Sequence, residues 1–215
     1  MSAFRLGVLV SGEGTNLQAI LDSVHGREGI EVACVASSRR NARGLERARA
    51  ADVPADAFPA AEHEDRGARD EVLAAHLERH AVDLVVLGGF MELLSPAFVA
   101  RFRNRILNVH PSLLPAFPGM RPIEDALSYG VRVTGVTVHF IDEGVDTGAI
   151  VLQEPVELPY AADIARVESE IHAVEHKLLP EAIRLIARGA VQVEGAGPGQ
   201  RARVRVEREA LRGAR

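Results

Sequence analysis

The sequence predicts an α/β protein: a mostly parallel central sheet, antiparallel additions in the C-terminal half, and helices on both faces. Three observations carry this expectation. Short, continuously apolar runs at residues 6–10, 30–36 and 83–90 read as strands buried on both faces. Segments with helical apolar spacing separate them, giving repeated strand–turn–helix units. Beyond Val131 the strands succeed one another through short connections, which favours antiparallel pairing.

Taken in order, residues 4–10 form the first strand, and Ser11-Gly12-Glu13-Gly14-Thr15-Asn16 comes next as a Gly-rich turn. Leu17, Ile20, Leu21 and Val24 then share a helix face. Glycines let the backbone turn tightly, and a helix start offers free N–H groups and partial positive charge, so phosphate is the natural ligand here. The turn has no Gly-Lys-Ser/Thr after it, and Asn16-Leu17 stand where a dinucleotide fingerprint has its third glycine. Residues 30–36 give a second strand, 42–51 a short helix, and 55–58 a third strand. Residues 63–80 read as a long amphipathic helix carrying His76 and His80 four positions apart. With no third ligand nearby in sequence, this pair reads as helix-surface histidines and no metal is expected. Residues 83–90 are the most apolar strand, ending in two glycines, and the carboxyl ends of such strands are where doubly wound sheets bind ligands. Ser95 caps a helix over 95–103 with Pro96 at its first position.

Residues 106–109 form a further strand running into Pro111-Ser112-Leu113-Leu114-Pro115 and Phe117-Pro118-Gly119. A short helix over 123–129 ends at Gly130, and residues 131–141 alternate as a strand. A polar loop, 142–148, leads to a strand at 149–156. The longest helix, 163–188, contains Pro180, which is expected to kink or split it. Residues 191–193 and 204–206 read as a terminal hairpin around Gly195, Gly197 and Gly199, and the last fifteen residues, with six arginines and two glutamates, as a solvated tail.

The whole-chain properties exclude some classes. At 215 residues the chain is one large domain or two small ones. A net charge of −5 does not favour nucleic acid, and no apolar run reaches membrane-spanning length, so neither nucleic acid nor membrane is expected as a partner. The one cysteine, Cys34, reads as a core residue of a reducing compartment. With no leader-like start, the expectation is a cytoplasmic protein.

The stretch Asn108-Val109-His110 carries the chemistry. Positions two apart on a strand face the same way, so Asn108 and His110 can address one reacting atom. Three prolines, Pro111, Pro115 and Pro118, stiffen the segment beyond His110. A histidine can exchange a proton near neutrality, an amide can donate to a developing oxyanion, and a carboxylate can hold the imidazolium. Asp142, Glu143 and Asp146 are the carboxylate candidates. With no evident serine, cysteine or lysine nucleophile, this set suits direct attack of an amine on a carbonyl carbon.

The stretch Asn108-Val109-His110-Pro111-Ser112-Leu113-Leu114-Pro115 resembles the signature of the folate-dependent formyltransferases. Further similarities run in order from residue 6 to about 190: residues 11–20, Gly89-Phe90-Met91, Leu94-Ser95-Pro96, Val138-His139-Phe140, Asp146-Thr147-Gly148 and Glu175-His176. The resemblance implies a Rossmann-like formyltransferase fold over residues 1–190, with a nucleotide/phosphate-binding half (1–104) and a catalytic and folate-loop half (105–190), and then the hairpin and basic tail (191–215). It implies transfer of a formyl group from 10-formyltetrahydrofolate, as co-substrate, to the amine of glycinamide ribonucleotide (GAR). The family's catalytic residues fall on Asn108, His110 and Asp146. Its GAR-binding positions fall on Gly14, Thr15, Asn16 and Glu175. Its folate-binding positions fall on Arg66, Met91, Glu92, Leu93, Leu94 and Asn108, with Asp142, Glu143, Gly144, Val145 and Asp146 as a loop over the pterin. Family members acting on tRNA carry an extra C-terminal domain, and deformylases an extra N-terminal one; with so few residues outside 4–190, neither is expected. The chain departs from the family at Arg121, Pro122, Ile123, Ala149 and Glu92. The oligomeric state is left open, a homodimer included.

Overall fold

The computed structural model describes residues 2–159, 163–195 and 201–207. The chain divides into two compact units, Met1–Leu107 and Asn108–Arg215. Seven strands make one sheet, in the order β3 (Ala55–Ala57), β2 (Ile30–Ser37), β1 (Phe4–Val10), β4 (Leu84–Leu87), β5 (Ile106–His110), β6 (Val133–Phe140), β7 (Ile150–Glu157), and two more make a separate pair.

In the first unit β1 (Phe4–Val10) pairs in parallel with β2 (Ile30–Ser37) and with β4 (Leu84–Leu87), and β2 in parallel with β3 (Ala55–Ala57). Residues 6–10 and all of β4 are buried, as strands covered on both faces must be. The helices are α1 (Thr15–Ser23), α2 (Arg43–Ala50), α3 (Arg66–Arg79) and α4 (Pro96–Arg101). The start of α4 is as its sequence requires: Ser95 Oγ accepts from the Phe98 N–H at 3.3 Å, and Pro96, which lacks an N–H, occupies the first turn.

Helix α3 begins three residues later than its apolar spacing suggests. A 3₁₀ turn, Ala60–Glu62, comes first, and Asp65 caps the helix by accepting from the Ala68 N–H at 2.8 Å. His76 is no surface residue. It is 3% exposed, its ring lies edge-on to Phe58 and against His80, and Cys34 of β2 stands nearby as the third ligand-type side chain that the spacing lacked.

In the second unit β6 (Val133–Phe140) pairs antiparallel with β7 (Ile150–Glu157), which makes the sheet mixed. Both faces of β6 are buried from Thr134 onward, because α6 (Ile164–Ala187) packs on β6 and β7 while Ser112, Leu113 and Leu114 lie against Thr137 and Gly135; α5 (Pro122–Tyr129) packs on α6. Helix α6 runs unbroken through Pro180, against the expectation of a split. Proline removes one helix hydrogen bond, but Ile171, Leu178, Leu179, Ala182 and Ile183 are buried around it. Each such side chain contributes about 1.5–3 kcal/mol, which outweighs the lost bond.

The terminal hairpin forms as β8 (Val191–Glu194) against β9 (Arg203–Val206). Gly197 and Gly199 lie outside the described residues, as do residues 208–215 of the expected tail. Residues 201–207 are not a solvated tail: they contain β9, which packs on β7, and Arg201 is tied to the loop before β7. No helix among the described residues is long and apolar enough to cross a membrane.

Candidate active site

Strand β5 (Ile106–His110) is one residue longer than its apolar run, so His110 still belongs to the strand and shares a face with Asn108. The Pro-rich segment behind it is held by hydrogen bonds. The buried Thr137 hydroxyl of β6 donates to the Ser112 carbonyl at 2.6 Å and accepts from the Leu114 N–H at 3.1 Å. Gln153 Nε2 donates to Thr137 Oγ1 at 2.9 Å and to the Leu114 carbonyl at 3.0 Å. Ser112 Oγ closes the turn onto the Ala116 carbonyl at 2.6 Å.

Asn108, His110 and Asp146 come together around His139, a residue to which the sequence reading gave no role. His139 is fully buried on β6. Its Nδ1 lies 2.9 Å from the Phe140 carbonyl, so Nδ1 carries the proton and Nε2 is the acceptor. Asn108 Nδ2, at 3.2 Å, donates to that Nε2. Burial holds the His139 pKa below its ordinary value and so keeps the ring neutral, as this bond requires. One amide hydrogen of Asn108 is thereby fixed, and the other is free for a ligand.

Asp146 completes the cluster. Oδ1 lies 3.7 Å from His139 Nε2 and Oδ2 lies 3.6 Å from His110 Nδ1. Oδ2 also accepts from the Gly119 N–H at 2.8 Å, which ties the carboxylate to the segment after the prolines. His110 Nε2 donates to the Phe117 carbonyl at 2.9 Å, so its Nδ1 faces the carboxylate. His110 is 4% exposed and the Asp146 side chain 11%. A second proton on His110 would therefore sit at Nδ1, opposite a carboxylate in a largely dry site.

The loop carrying Asp146 is self-braced. Asp142 Oδ1 accepts from Gly144 N–H at 3.1 Å and from Thr147 Oγ1 at 2.6 Å, an Asx turn that commits this carboxylate to the loop itself. Asp146 sits at φ 53°, left-handed backbone that a non-glycine residue adopts at a cost. Arg201, also unassigned by the sequence reading, grips the strained segment: Nη2 donates to the Asp146 carbonyl at 2.7 Å and Nε to the Gly148 carbonyl at 2.9 Å. Glu143 and Val145 are exposed on the same loop, and Glu175 is buried on α6.

The remaining sequence-predicted residues lie in the first unit. Gly14 occupies the N-cap of α1 at φ 69°, leaving the N–H groups of Thr15 and Asn16 at the helix start. A Cβ at Gly14 would lie 2.6 Å from Gly44 Cα, so the start of α1 meets α2 this closely only because residue 14 is glycine. The segment after β4 is tied to the end of β1: Met91 N–H donates to Ser11 Oγ at 2.8 Å and Ser11 N–H to the Gly89 carbonyl at 3.1 Å. Met91 and Leu93 are exposed by 61% and 63%. Arg66 is exposed in the first turn of α3. One turn on, the fully buried Arg69 pairs with Asp70 at 2.6 Å and with Glu92, and donates to the Leu93 carbonyl at 3.4 Å. Glu92, a departure from the family pattern, thus has a structural partner in Arg69. Arg121 is exposed beside Glu124 at 3.6 Å, and Ala149 is buried.

Among the described residues, the ends of β5 and β6 and the Asp146 loop bring together an amide, two imidazoles and a carboxylate on a doubly wound sheet, the donor set of a group-transferring enzyme. Comparison with known proteins agrees. The Formyl transferase family model matches residues 4–183, and the chain belongs to that family. It is 43% identical over 191 residues to the phosphoribosylglycinamide formyltransferase of Mycobacterium tuberculosis (strain CDC 1551 / Oshkosh), covering 89% of this chain and 88% of that protein. The crystal structure of glycinamide ribonucleotide transformylase 1 from Symbiobacterium toebii superposes with a TM-score of 0.89 at 48% identity, covering 95% of this chain and 94% of that one. The chain is also 41% identical over 192 residues to the trifunctional purine biosynthetic protein adenosine-3 of Chironomus tentans, of which it spans 14% of the length.

Proposed function

We propose that this chain transfers the formyl group of 10-formyltetrahydrofolate to the amine of glycinamide ribonucleotide, giving formyl-GAR and tetrahydrofolate in purine biosynthesis. The observation that carries the reading is the His139-centred cluster of Asn108, His110 and Asp146 in a member of the formyl transferase family. The relatives named for this reaction match nearly the full chain, which supports GAR over another amine.

The substrate amine attacks the formyl carbon, and the C=O π pair moves to oxygen. The free amide hydrogen of Asn108 donates to this oxyanion, and His110, protonated at Nδ1 and held by Asp146, places a positive charge beside it. The attacking nitrogen then loses a proton, which passes through water ordered by Asp146 to N10 of the folate. The C–N10 bond breaks, the carbonyl re-forms, and tetrahydrofolate leaves.

Gly14, Thr15 and Asn16 bind the GAR phosphate, where a helix start supplies N–H donors and partial positive charge. Glu175, buried on α6, contacts the nucleotide substrate. The folate is held by Arg66, Met91, Glu92, Leu93 and Leu94 and by the Asp142–Asp146 loop, with Met91, Leu93 and Val145 as exposed apolar side chains suited to a flat pteridine. The enzyme acts in the cytoplasm, with GAR and the folate as its small-molecule partners.

An acceptor panel tests this. Purified protein with 10-formyltetrahydrofolate should formylate GAR in preference to amino-sugar nucleotides and free glycinamide. Binding of both substrates without product would make the chain a sensor on the same fold. Preference for a sugar-nucleotide amine would move it to another branch of the family.

A further inference from the structure

Apart from the transfer chemistry, the first unit gathers a thiol and two imidazoles. One ligand atom each of Cys34 on β2 and of His76 and His80 on α3 lies within 4.8 Å of the others. We propose that Cys34, His76 and His80 bind a divalent, zinc-type metal ion, with Asp56 of β3 supporting His76 from behind and solvent in the fourth position.

The donor set suits such an ion. Thiolate with imidazole selects zinc-like metals over magnesium or calcium. Side chains four apart on a helix share a face, so His76 and His80 offer a preformed pair. Ligand atoms on a tetrahedral ion stand roughly 3.3–3.8 Å apart for bonds of about 2.0–2.3 Å. The present separations, within 4.8 Å, must close by about 1 Å on loading, and the half-buried His80 has the most room to move.

The proton positions are already those of metal ligands. His80 Nδ1 lies 2.9 Å from the His76 carbonyl, so its proton sits there and the Nε2 lone pair is free. Metal-bound histidines are oriented by this kind of bond. His76 is 3% exposed, and its Nε2 is buried with no hydrogen-bond partner. An orphaned buried acceptor is costly, and a metal bond would satisfy it. His76 Nδ1 lies 3.9 Å from Asp56 Oδ2, a carboxylate that favours the proton on Nδ1 and the lone pair on Nε2.

Burial acts in opposite directions on the two kinds of ligand. Burial lowers the His76 pKa, so its ring is neutral and can coordinate at neutral pH. Burial pushes the Cys34 thiol up to about 12, so it holds its proton until a cation displaces it. Binding then forms the S–metal bond and releases that proton to solvent. The neighbouring Arg5 is compensated: Nη1 pairs with Glu31 at 3.0 Å, and Nε donates to the His80 carbonyl at 2.8 Å.

The test is a cobalt titration of tag-free, chelator-treated full-length protein under a phosphine reductant. One Co²⁺ should bind per chain with a near-ultraviolet thiolate-to-cobalt band and visible tetrahedral d–d bands, and Zn²⁺ should displace it. Cys34→Ser should abolish the near-ultraviolet band. Asp56→Asn, at a side chain 64% exposed, should fold normally and weaken Co²⁺ binding by about 10–100-fold. His80→Ala, at a half-buried position, should weaken it at least as much. The proposal is overturned by no thiolate band at a large cobalt excess, by a band that survives Cys34→Ser, or by unchanged affinity in both Asp56→Asn and His80→Ala.

Discussion

Replacing Gly14 by alanine separates two costs that usually arrive together. Gly14 and Gly26 have the same backbone φ, +69°. At Gly26 an added Cβ meets nothing within 4 Å, so Gly26→Ala carries only the left-handed penalty, about 1–2 kcal/mol. At Gly14 the same Cβ lies 2.6 Å from Gly44 Cα, which is backbone and has no side chain to swing away. Helices α1 and α2 must separate, adding an overpacking cost of about 1–3 kcal/mol. Gly14→Ala should therefore lose roughly 2–5 kcal/mol in urea denaturation, clearly more than Gly26→Ala. Separation of the helices also displaces the Thr15 and Asn16 N–H groups. KM for GAR should rise, while an acceptor lacking the phosphate should be affected little. Equal destabilisation by the two substitutions, or an unchanged KM for GAR in a folded Gly14→Ala, would refute the reasoning.

Other predictions concern the second unit and three histidines with lowered pKa values. Thr137→Val keeps the shape but leaves the Ser112 carbonyl and the Leu114 N–H without their buried partner; at about 1–2 kcal/mol each, the variant should lose about 2–4 kcal/mol of stability and kcat should fall. Arg201→Met removes two charge-assisted bonds to a left-handed loop that half-exposed solvent can partly replace, so kcat should drop about tenfold with KM for GAR unchanged. His76, His139 and His176 all have pKa values lowered from 6.5, chiefly by burial. Their neutral forms are favoured in the folded state, so the unfolded chain binds more protons below about pH 6.5. Stability should hold above that value and decline as pH falls through it towards the folded-state pKa values, as urea midpoints across that range would show.

Local chemistry was readable in the sequence where a residue acts on its own neighbours. The apolar run of β1, the Ser95-Pro96 start of α4 and the Gly130 end of α5 are all decided within a turn or two. Contacts between residues distant in sequence were not readable. His139 alternates correctly on β6, but nothing nearby shows that its ring would meet Asn108, 31 positions earlier. Arg201 sits in an arginine-rich stretch that composition assigns to solvent, and its partners lie 53 and 55 positions away. His76 has the spacing of a surface pair, and only the approach of β2 and Phe58 buries it. Pro180 is a local helix breaker overruled by the packing of α6, which the 3.6-residue period records but does not weigh.

In the proposed transfer, Asn108 and Asp146 stabilise charge that develops only as the formyl group moves. Turnover of Asn108→Ala and Asp146→Ala at saturating GAR and 10-formyltetrahydrofolate tests it most directly. Loss of one such donor in a water-poor site typically costs about 10²–10³ in kcat, and each variant should fall by about that factor while remaining folded and able to bind both substrates. Near-normal turnover in both would contradict the account.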